Sequence, residues 1–327
     1  MKKAGVKLAL IGAGELGSRH LQALALLDRP ATIEVFEPVL TAQGKAEARF
    51  AQIKQSGRVS VKFLSRMEDF SPFLDLAIIA TTADARLQAL EQLLAEKNAR
   101  YLILEKVVFQ DVKSFDKAQR LLSRKKVKAW VNCPRRMWPF YQELKPKFNG
   151  EKIDYRASAS NLNLGSVAVH LLDHLSFFTG EYDYELSSER LDPDILLSKR
   201  PGFREFTGTL EGRLAGGSAI SITSYREGNA PFLIQLSTQS LRCLIREPEG
   251  KAWLAEEGDG WQWQEIPFKA LAQSQLTHLA AAKILNSGES ELPTFEQSRE
   301  IHIPLLKTLT AHFSKIINQP VSACPIT

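Results

Sequence analysis

Gly12-Ala13-Gly14-Glu15-Leu16-Gly17 follows the apolar run Val6–Ile11 and opens a segment of helical periodicity. Each glycine has a reason: Gly12 allows a tight turn, Gly14 lets backbone approach a diphosphate, and Gly17 permits close helix–strand packing. The diphosphate would rest on first-turn N–H groups, at Glu15 and Leu16, and on the positive end of the helix dipole. Glu37 closes the second apolar run about 20 residues later, where a carboxylate accepts both adenosine ribose hydroxyls. Such a carboxylate repels a ribose 2′-phosphate, which favours NAD over NADP, while Lys45 nearby pulls the other way.

Two further groups could carry a hydride-coupled proton. Lys106 sits just past the apolar run Tyr101–Leu104, at the carboxyl end of a parallel strand, where open α/β sheets bind ligands. Its ammonium can stabilise an alkoxide as hydride leaves carbon, with Glu105 orienting or screening it. A lysine capping a sheet edge is the plainer alternative. His170 begins an apolar helix, and an imidazole can take a hydroxyl proton and return it. Asp173 and His174 fall three and four residues on, so both can share its face; a core histidine with a satisfied partner is the competing reading. His170, Asp173 and His174 are also potential metal ligands, but no H-E-x-x-H is present and nothing nominates the rest, so no metal is expected.

These residues need a scaffold. The chain of 327 residues is about two domains' worth. Its 24% charged and 44% hydrophobic content is globular rather than disordered. The net charge of +5 suits an anionic small molecule, and without a basic arm or stripe no nucleic acid is expected. Cys133, Cys243 and Cys324 are odd in number and widely spaced, which argues against a disulfide framework and for a reducing cytoplasm. No apolar run is long enough to cross a bilayer. Met1-Lys2-Lys3 before Val6–Ile11 superficially resembles a signal peptide, but Lys7 interrupts it and no cleavage site follows, so a buried first strand is expected.

The early apolar runs lack in/out alternation: Val6–Ile11, Thr32–Glu37, Val59–Phe63, Leu76–Ala80, Tyr101–Leu104 and Val127–Val131. That pattern suits parallel strands covered on both faces. Helical segments Glu15–Leu27, Gln43–Gln55, Ala85–Lys97 and Ser114–Ser123 lie between them, and Arg124-Lys125-Lys126 reads as a solvated helix end. After about residue 150, strands alternate in polarity around Tyr155, Ile222, Ile234, Cys243 and Trp261–Trp263, separated by glycine turns. Helices are expected at Ala168–Thr179, Lys269–Leu285 and Phe295–Ile317. The spacing thus predicts an α/β chain. Residues 1–132 would form a doubly wound Rossmann domain that binds a dinucleotide. Residues 133–327 would form an α+β domain on a large, mostly antiparallel open sheet, for substrate binding and oligomerisation. The crevice between them is where chemistry is expected.

Gly12-x-Gly14-x-x-Gly17-x-x-His20-x-x-Ala23-Leu24 resembles the opening of the Gfo/Idh/MocA oxidoreductases, the family of glucose–fructose oxidoreductase and inositol dehydrogenase. Asp75–Thr82 is similar to the family's strand that ends in threonine beside the dinucleotide, which implies Thr81 and Thr82 as cofactor contacts. Leu104-Glu105-Lys106-Val107 is similar to its Glu-Lys-Pro signature, and His170-Leu171-Leu172-Asp173 to its His-x-x-Asp helix. The resemblance spans essentially the whole chain. It implies Lys106, His170 and Asp173 as the catalytic set, with Asp173 orienting substrate. It also implies that an arginine near Arg136 reaches the crevice. Arg135 or Arg136 could then grip an anionic substrate group bidentately, or could instead form an interdomain ion pair. Asn161 and Asn163 are candidates for sugar hydroxyls, or equally turn residues. Three positions depart from the family pattern: Ser166 stands where an aspartate is common, Val107 where proline is, and Arg86 where histidine often is.

The resulting expectation is an NAD-dependent oxidoreductase, NADP being the lesser fit. It would interconvert a secondary hydroxyl and a ketone on a sugar or nucleotide-sugar-like substrate that could be anionic. The alternative is a catalytically inactive dinucleotide-binding regulator or scaffold of the same fold, motivated by Ser166 and Val107. A cytoplasmic homo-oligomer, dimer or tetramer through the second sheet, is expected, with no membrane partner.

Overall fold

The computed structural model describes residues 5–53 and 57–327. The start Met1–Lys3 and residues 54 and 55 of the Gln43–Gln55 segment lie outside them. The chain divides into two compact units.

The first unit comprises Met1–Phe109, Lys113–Pro134 and Leu271–Glu296. Its six-stranded parallel sheet has the order β3-β2-β1-β5-β7-β8, from β1 (Val6–Ile11), β2 (Ala31–Phe36), β3 (Val59–Leu64), β5 (Leu76–Ile79), β7 (Tyr101–Leu104) and β8 (Lys128–Val131). Two short strands, β4 (Phe73–Leu74) and β6 (Asn98–Ala99), form a separate parallel pair. The strand order reverses at β1, so the carboxyl ends of β1 and β5 flank the switch point where such sheets bind ligands. All four residues of β5 (Leu-Ala-Ile-Ile) and of β7 (Tyr-Leu-Ile-Leu) are buried, as unbroken apolar runs require when both faces are covered. The crossovers are α1 (Glu15–Leu24), α2 (Leu40–Ala51), α3 (Ala83–Glu96) and α4 (Val112–Lys125). The return segment adds α7 (Thr277–Ser287), which packs on α1, and Thr294 bridges to Trp130 of β8.

The second unit comprises Gln110–Val112, Arg135–Ala270 and Gln297–Thr327. Its eight-stranded sheet has the order β10-β11-β12-β9-β13-β14-β15-β16. The strands are β9 (Asp154–Ser160), β10 (Tyr184–Leu197), β11 (Arg204–Leu214), β12 (Ala219–Tyr225), β13 (Leu233–Ser237), β14 (Leu241–Arg246), β15 (Lys251–Glu256) and β16 (Gln264–Pro267). Every pairing is antiparallel except β12 with β9. Alternate residues, such as Tyr155, Ala157 and Ala159, point into a core shared with α6 (Leu164–Thr179). Two further helices are α5 (Pro139–Leu144) and α8 (Phe295–Ile316).

Three sequence expectations need correction. The helix expected over Lys269–Leu285 starts only at Thr277, because the Phe268 N–H still pairs with Gly250 O to complete the last hairpin. Trp261–Trp263 is not strand: Gly260 and Trp261 both have positive φ, the Trp261 N–H closes a turn on Glu256 O, and β16 begins at Gln264. Strands β10, β11 and β15 were not anticipated.

Candidate functional site

At the end of β1 the chain turns through Gly12 with φ +85°, and a Cβ there would lie 2.9 Å from Thr81 N. A Cβ on Gly17 would lie 1.9 Å from Gly12 O. Both positions therefore exclude any side chain. Gly14 differs, for a Cβ there would meet nothing within 4 Å. The chain's own packing does not demand glycine at 14, and the space over the helix start is open. Gly14 is the N-cap of α1 and gives no side-chain cap to the first-turn N–H groups at Glu15 and Leu16. The Glu15 carboxylate pairs with Arg49 of α2 at 2.5 Å, which holds it below its ordinary pKa.

Glu37, just past β2, accepts the Ala13 N–H at 2.7 Å on one oxygen and the Val39 N–H at 3.0 Å on the other. The acid and the glycine turn are thus brought together, and each carboxylate oxygen keeps a lone pair for a further donor. Thr81 Oγ1 is buried and has no hydrogen-bond partner among the described residues. Thr82 caps α3 without a side-chain bond. A turn open at Gly14, an uncapped helix start, a carboxylate at the end of β2 and an orphaned threonine hydroxyl together fit an adenine dinucleotide.

Two buried groups support the end of β7. Arg86, on α3, donates to the carbonyls of Thr81 and Val107 and to Val108 O at 2.9 Å, tying the ends of β5 and β7 together. In the sequence Arg86 stands out only as a departure from the family pattern. Glu105 is buried, and its Oε1 accepts from His20 at 2.7 Å and Asn132 at 2.5 Å. Burial pushes this carboxyl up, but the His20 hydrogen bond and the charges of His20, Lys106 and Arg86 outweigh it, so its pKa is lowered. Lys106 follows directly, half-buried, joined to Val107 by a cis peptide bond.

In the second unit, α6 carries His170 half-buried, with Asp173 and His174 fully buried. Asp173 is clasped bidentately by Arg136, at 2.6 and 2.8 Å. Burial raises its pKa, and Arg136 offsets this only in part. Arg135 clasps Glu247 at 2.7 and 2.9 Å, and Tyr141 donates to the same carboxylate at 2.5 Å. The arginines expected to grip a substrate anion thus grip Glu247 and Asp173 instead, because a buried guanidinium must be neutralised within the fold. Asp173, expected to orient substrate, is likewise engaged. His174 meets the Tyr155 hydroxyl at 3.0 Å and stands edge-on to Tyr141. Burial first, then Arg135 and Arg136, hold its pKa well below the ordinary value. Among the described residues no three His, Cys, Asp or Glu side chains are grouped to hold a metal.

Asn161 and Asn163 both have positive φ, the geometry of turn residues, and Asn163 O accepts Ser166 Oγ–H at 3.1 Å. Sequence reasoning did not anticipate the partnership of Glu247 with Arg135, nor that of His20 with Glu105 on one ring nitrogen and Thr277 on the other, at 2.7 and 2.8 Å. Separations of up to 257 residues leave no local signal.

No family model and no curated protein matches the chain. Solved structures do. UDP-N-acetylglucosamine 3-dehydrogenase GnnA from Acidithiobacillus ferrooxidans superposes with a TM-score of 0.71 at 13% identity, over 93% of this chain and 96% of that one. An oxidoreductase from Agrobacterium radiobacter, in complex with NAD+, L-tartaric acid and magnesium, gives 0.69 at 15% identity, over 97% and 98%. The transcriptional regulator Gal80p from Kluyveromyces lactis gives 0.68 at 14% identity, over 98% and 95%. With its parallel sheet, glycine turn and large second sheet, the chain has the fold of the Gfo/Idh/MocA oxidoreductases.

Proposed function

We propose that the protein is an NAD-dependent dehydrogenase that interconverts a secondary hydroxyl and a ketone on a sugar or nucleotide-sugar-like substrate. The observation that carries this reading is the glycine turn, closed to side chains at Gly12 and Gly17 yet open at Gly14. Gly12, Gly14, Glu15, Leu16 and Gly17 would hold the diphosphate through backbone, Glu37 the adenosine ribose, and Thr81 and Thr82 the coenzyme beside β5. Glu37 is the ground for preferring NAD to NADP. The bound nicotinamide supplies the hydride acceptor or donor.

The chain's own residues do the rest. Lys106 polarises the substrate oxygen and stabilises developing alkoxide charge. Glu105, kept ionised by His20, holds negative charge beside that ammonium. His170 moves the hydroxyl proton. Asp173 and Arg136 act as positioning residues that fix α6 against the turn at 134–137. Sugar chemistry is suggested by the UDP-sugar dehydrogenase among the structural neighbours, and Asn161, Asn163 and Ser166 are the polar groups at the α6 start offered to its hydroxyls. The half-buried outer positions of the second sheet, among them Leu233, Leu244 and Trp253, suit a homo-oligomeric contact. The three buried cysteines, which form no disulfide, suit a reducing cytoplasm, and no described helix is long and apolar enough to cross a membrane.

A second reading, a coenzyme-binding regulator without turnover, is favoured by the regulator among the neighbours and by Ser166. Calorimetry with NAD, NADH and NADP, followed by turnover across a panel of sugars and sugar nucleotides, separates the two. NAD uptake with turnover supports the dehydrogenase, uptake without turnover the regulator, and no uptake sinks both.

A further inference from the structure

Behind Lys106 lies a closed ring of five buried or half-buried polar side chains within the first unit. Glu105 Oε1 meets His20 Nε2 at 2.7 Å, and His20 Nδ1 meets Thr277 Oγ1 at 2.8 Å. Thr277 Oγ1 accepts from Gln273 Nε2 at 2.8 Å. Gln273 Oε1 accepts from Asn132 Nδ2 at 2.8 Å, and Asn132 Nδ2 returns to Glu105 at 2.5 Å. His20 and Thr277 are almost fully buried.

The Thr277 hydroxyl has two places to send its hydrogen: His20 Nδ1, or the carbonyl of Gln273 at 3.3 Å. In the first arrangement His20 is a neutral imidazole. Its Nε2–H donates to Glu105 and its Nδ1 accepts from Thr277. In the second the imidazole carries a proton on each nitrogen, and the Nδ1–H donates to Thr277 Oγ1. Every ring nitrogen keeps a partner in both, which is what a buried histidine needs to change charge without stranding a polar atom. Glu105 Oε2, buried and without a partner among the described residues, leaves that carboxylate dependent on His20 and Asn132.

We propose that His20 is a positioning residue that takes up or releases a proton behind Glu105, the Thr277 hydroxyl turning to match it, and so sets the charge that Lys106 faces. Taking up the proton forms one N–H bond at Nδ1; the proton comes from bulk water, and Thr277 keeps its O–H throughout. With His20 neutral, the carboxylate charge of Glu105 stands against the Lys106 ammonium. With His20 protonated, that charge is spent on the imidazolium and the ammonium loses support. The other charged groups on the packed elements are Arg86, which acts on Glu105; Glu15 and Arg19 on α1; Lys45, Glu47 and Arg49 on α2; and His278 and Lys283 on α7. Among the described residues, only Glu105 is bonded to the His20 imidazole as a charge. The inference that Lys106 feels the change rests on the dehydrogenase reading; the behaviour of His20 does not.

Ring-nitrogen NMR of His20 in the coenzyme-free full chain, assigned through His20→Gln, tests the first half. Wild type and Thr277→Ser should titrate alike. In Thr277→Val the midpoint should fall by about one pH unit, roughly tenfold in proton affinity, because valine cannot accept the Nδ1–H. A Thr277→Val midpoint equal to wild type, or nitrogen shifts that ignore pH in wild type, overturns it. The second half is read from kcat against pH. The acid limb should move with Thr277→Val, be restored by Thr277→Ser and flatten in His20→Gln, with coenzyme KM little changed. If Lys106→Ala abolishes turnover but the Thr277→Val profile matches wild type, the coupling is wrong. If Lys106→Ala leaves turnover intact, the dehydrogenase reading fails while the NMR result stands on its own.

Discussion

The paired arginines of the second unit and the polar groups around the glycine turn of the first differ in how they are satisfied. In the second, both arginines of the turn at 134–137 are cancelled inside the chain: Arg135 by Glu247, Arg136 by Asp173. In the first, the polar groups around the glycine turn keep unused capacity, at Thr81 Oγ1, at Glu105 Oε2 and over Gly14. Desolvated ions hold a fold together only when paired. Unspent donors and acceptors carry a standing cost that a ligand can repay. The contrast separates side chains consumed by internal pairing from groups that, on the proposed dehydrogenase reading, are kept for a ligand, even where residue type alone suggests chemistry for both.

That contrast can be broken from either side. Asp173→Ala should cost about 3–5 kcal/mol in denaturant unfolding, because it strands the Arg136 guanidinium, and replacing both partners by apolar residues should recover most of it. Equal losses in the single and double variants would show that the pair is not self-contained. Lys106→Ala should lower kcat about 10²–10³-fold with far less effect on calorimetric NAD affinity. Gly17→Ala should destabilise by about 1–3 kcal/mol through its collision with Gly12 O, whereas Gly14→Ala should leave stability unchanged and weaken coenzyme binding.

A pH titration of stability sharpens the point further. The folded His174 has a pKa well below 6.5, so the unfolded chain binds the extra proton first. Stability from this group is complete above pH 6.5 and falls on acidification, by up to about 1.4 kcal/mol per pH unit; His174→Phe should flatten that part of the profile. The smallest effect is expected from Ser166→Asp. A carboxylate in the first turn of α6 should add about 0.3–1 kcal/mol from the helix dipole, less the lost bond to Asn163 O, and Tm measures the sum.

The first unit was legible because its signals are local. Val6–Ile11 and Tyr101–Leu104 match the observed strands residue for residue, and the acid at 37 meets the turn at 13, since hydrophobic runs and glycine spacing are read within a few residues. In the second unit the edge strand β10 escaped notice for physical reasons. It is polar, contains Pro193, and shifts register twice against β11, all of which a sheet edge tolerates and a periodicity reading rejects. Trp261 and Trp263 misled in the other direction, being strand-forming residues placed in and after a tight turn. The site was legible as far as its backbone motifs. The side-chain pairs were not, because Arg135 meets Glu247 across 112 positions and His20 meets Thr277 across 257, and no pattern in a single sequence encodes such partners.

The first unit borrows residues Leu271–Glu296 from far down the chain, where Pro293 O caps the Val131 N–H beside Trp130. During synthesis its parallel sheet therefore emerges long before the piece that completes it, and α1 waits for α7 with its buried imidazole uncovered. Closing so long a loop is slow. A ribosome-bound chain halted shortly after Pro134 should consequently be sensitive to protease and attractive to chaperones, becoming resistant only once the stretch up to Glu296 has left the exit tunnel.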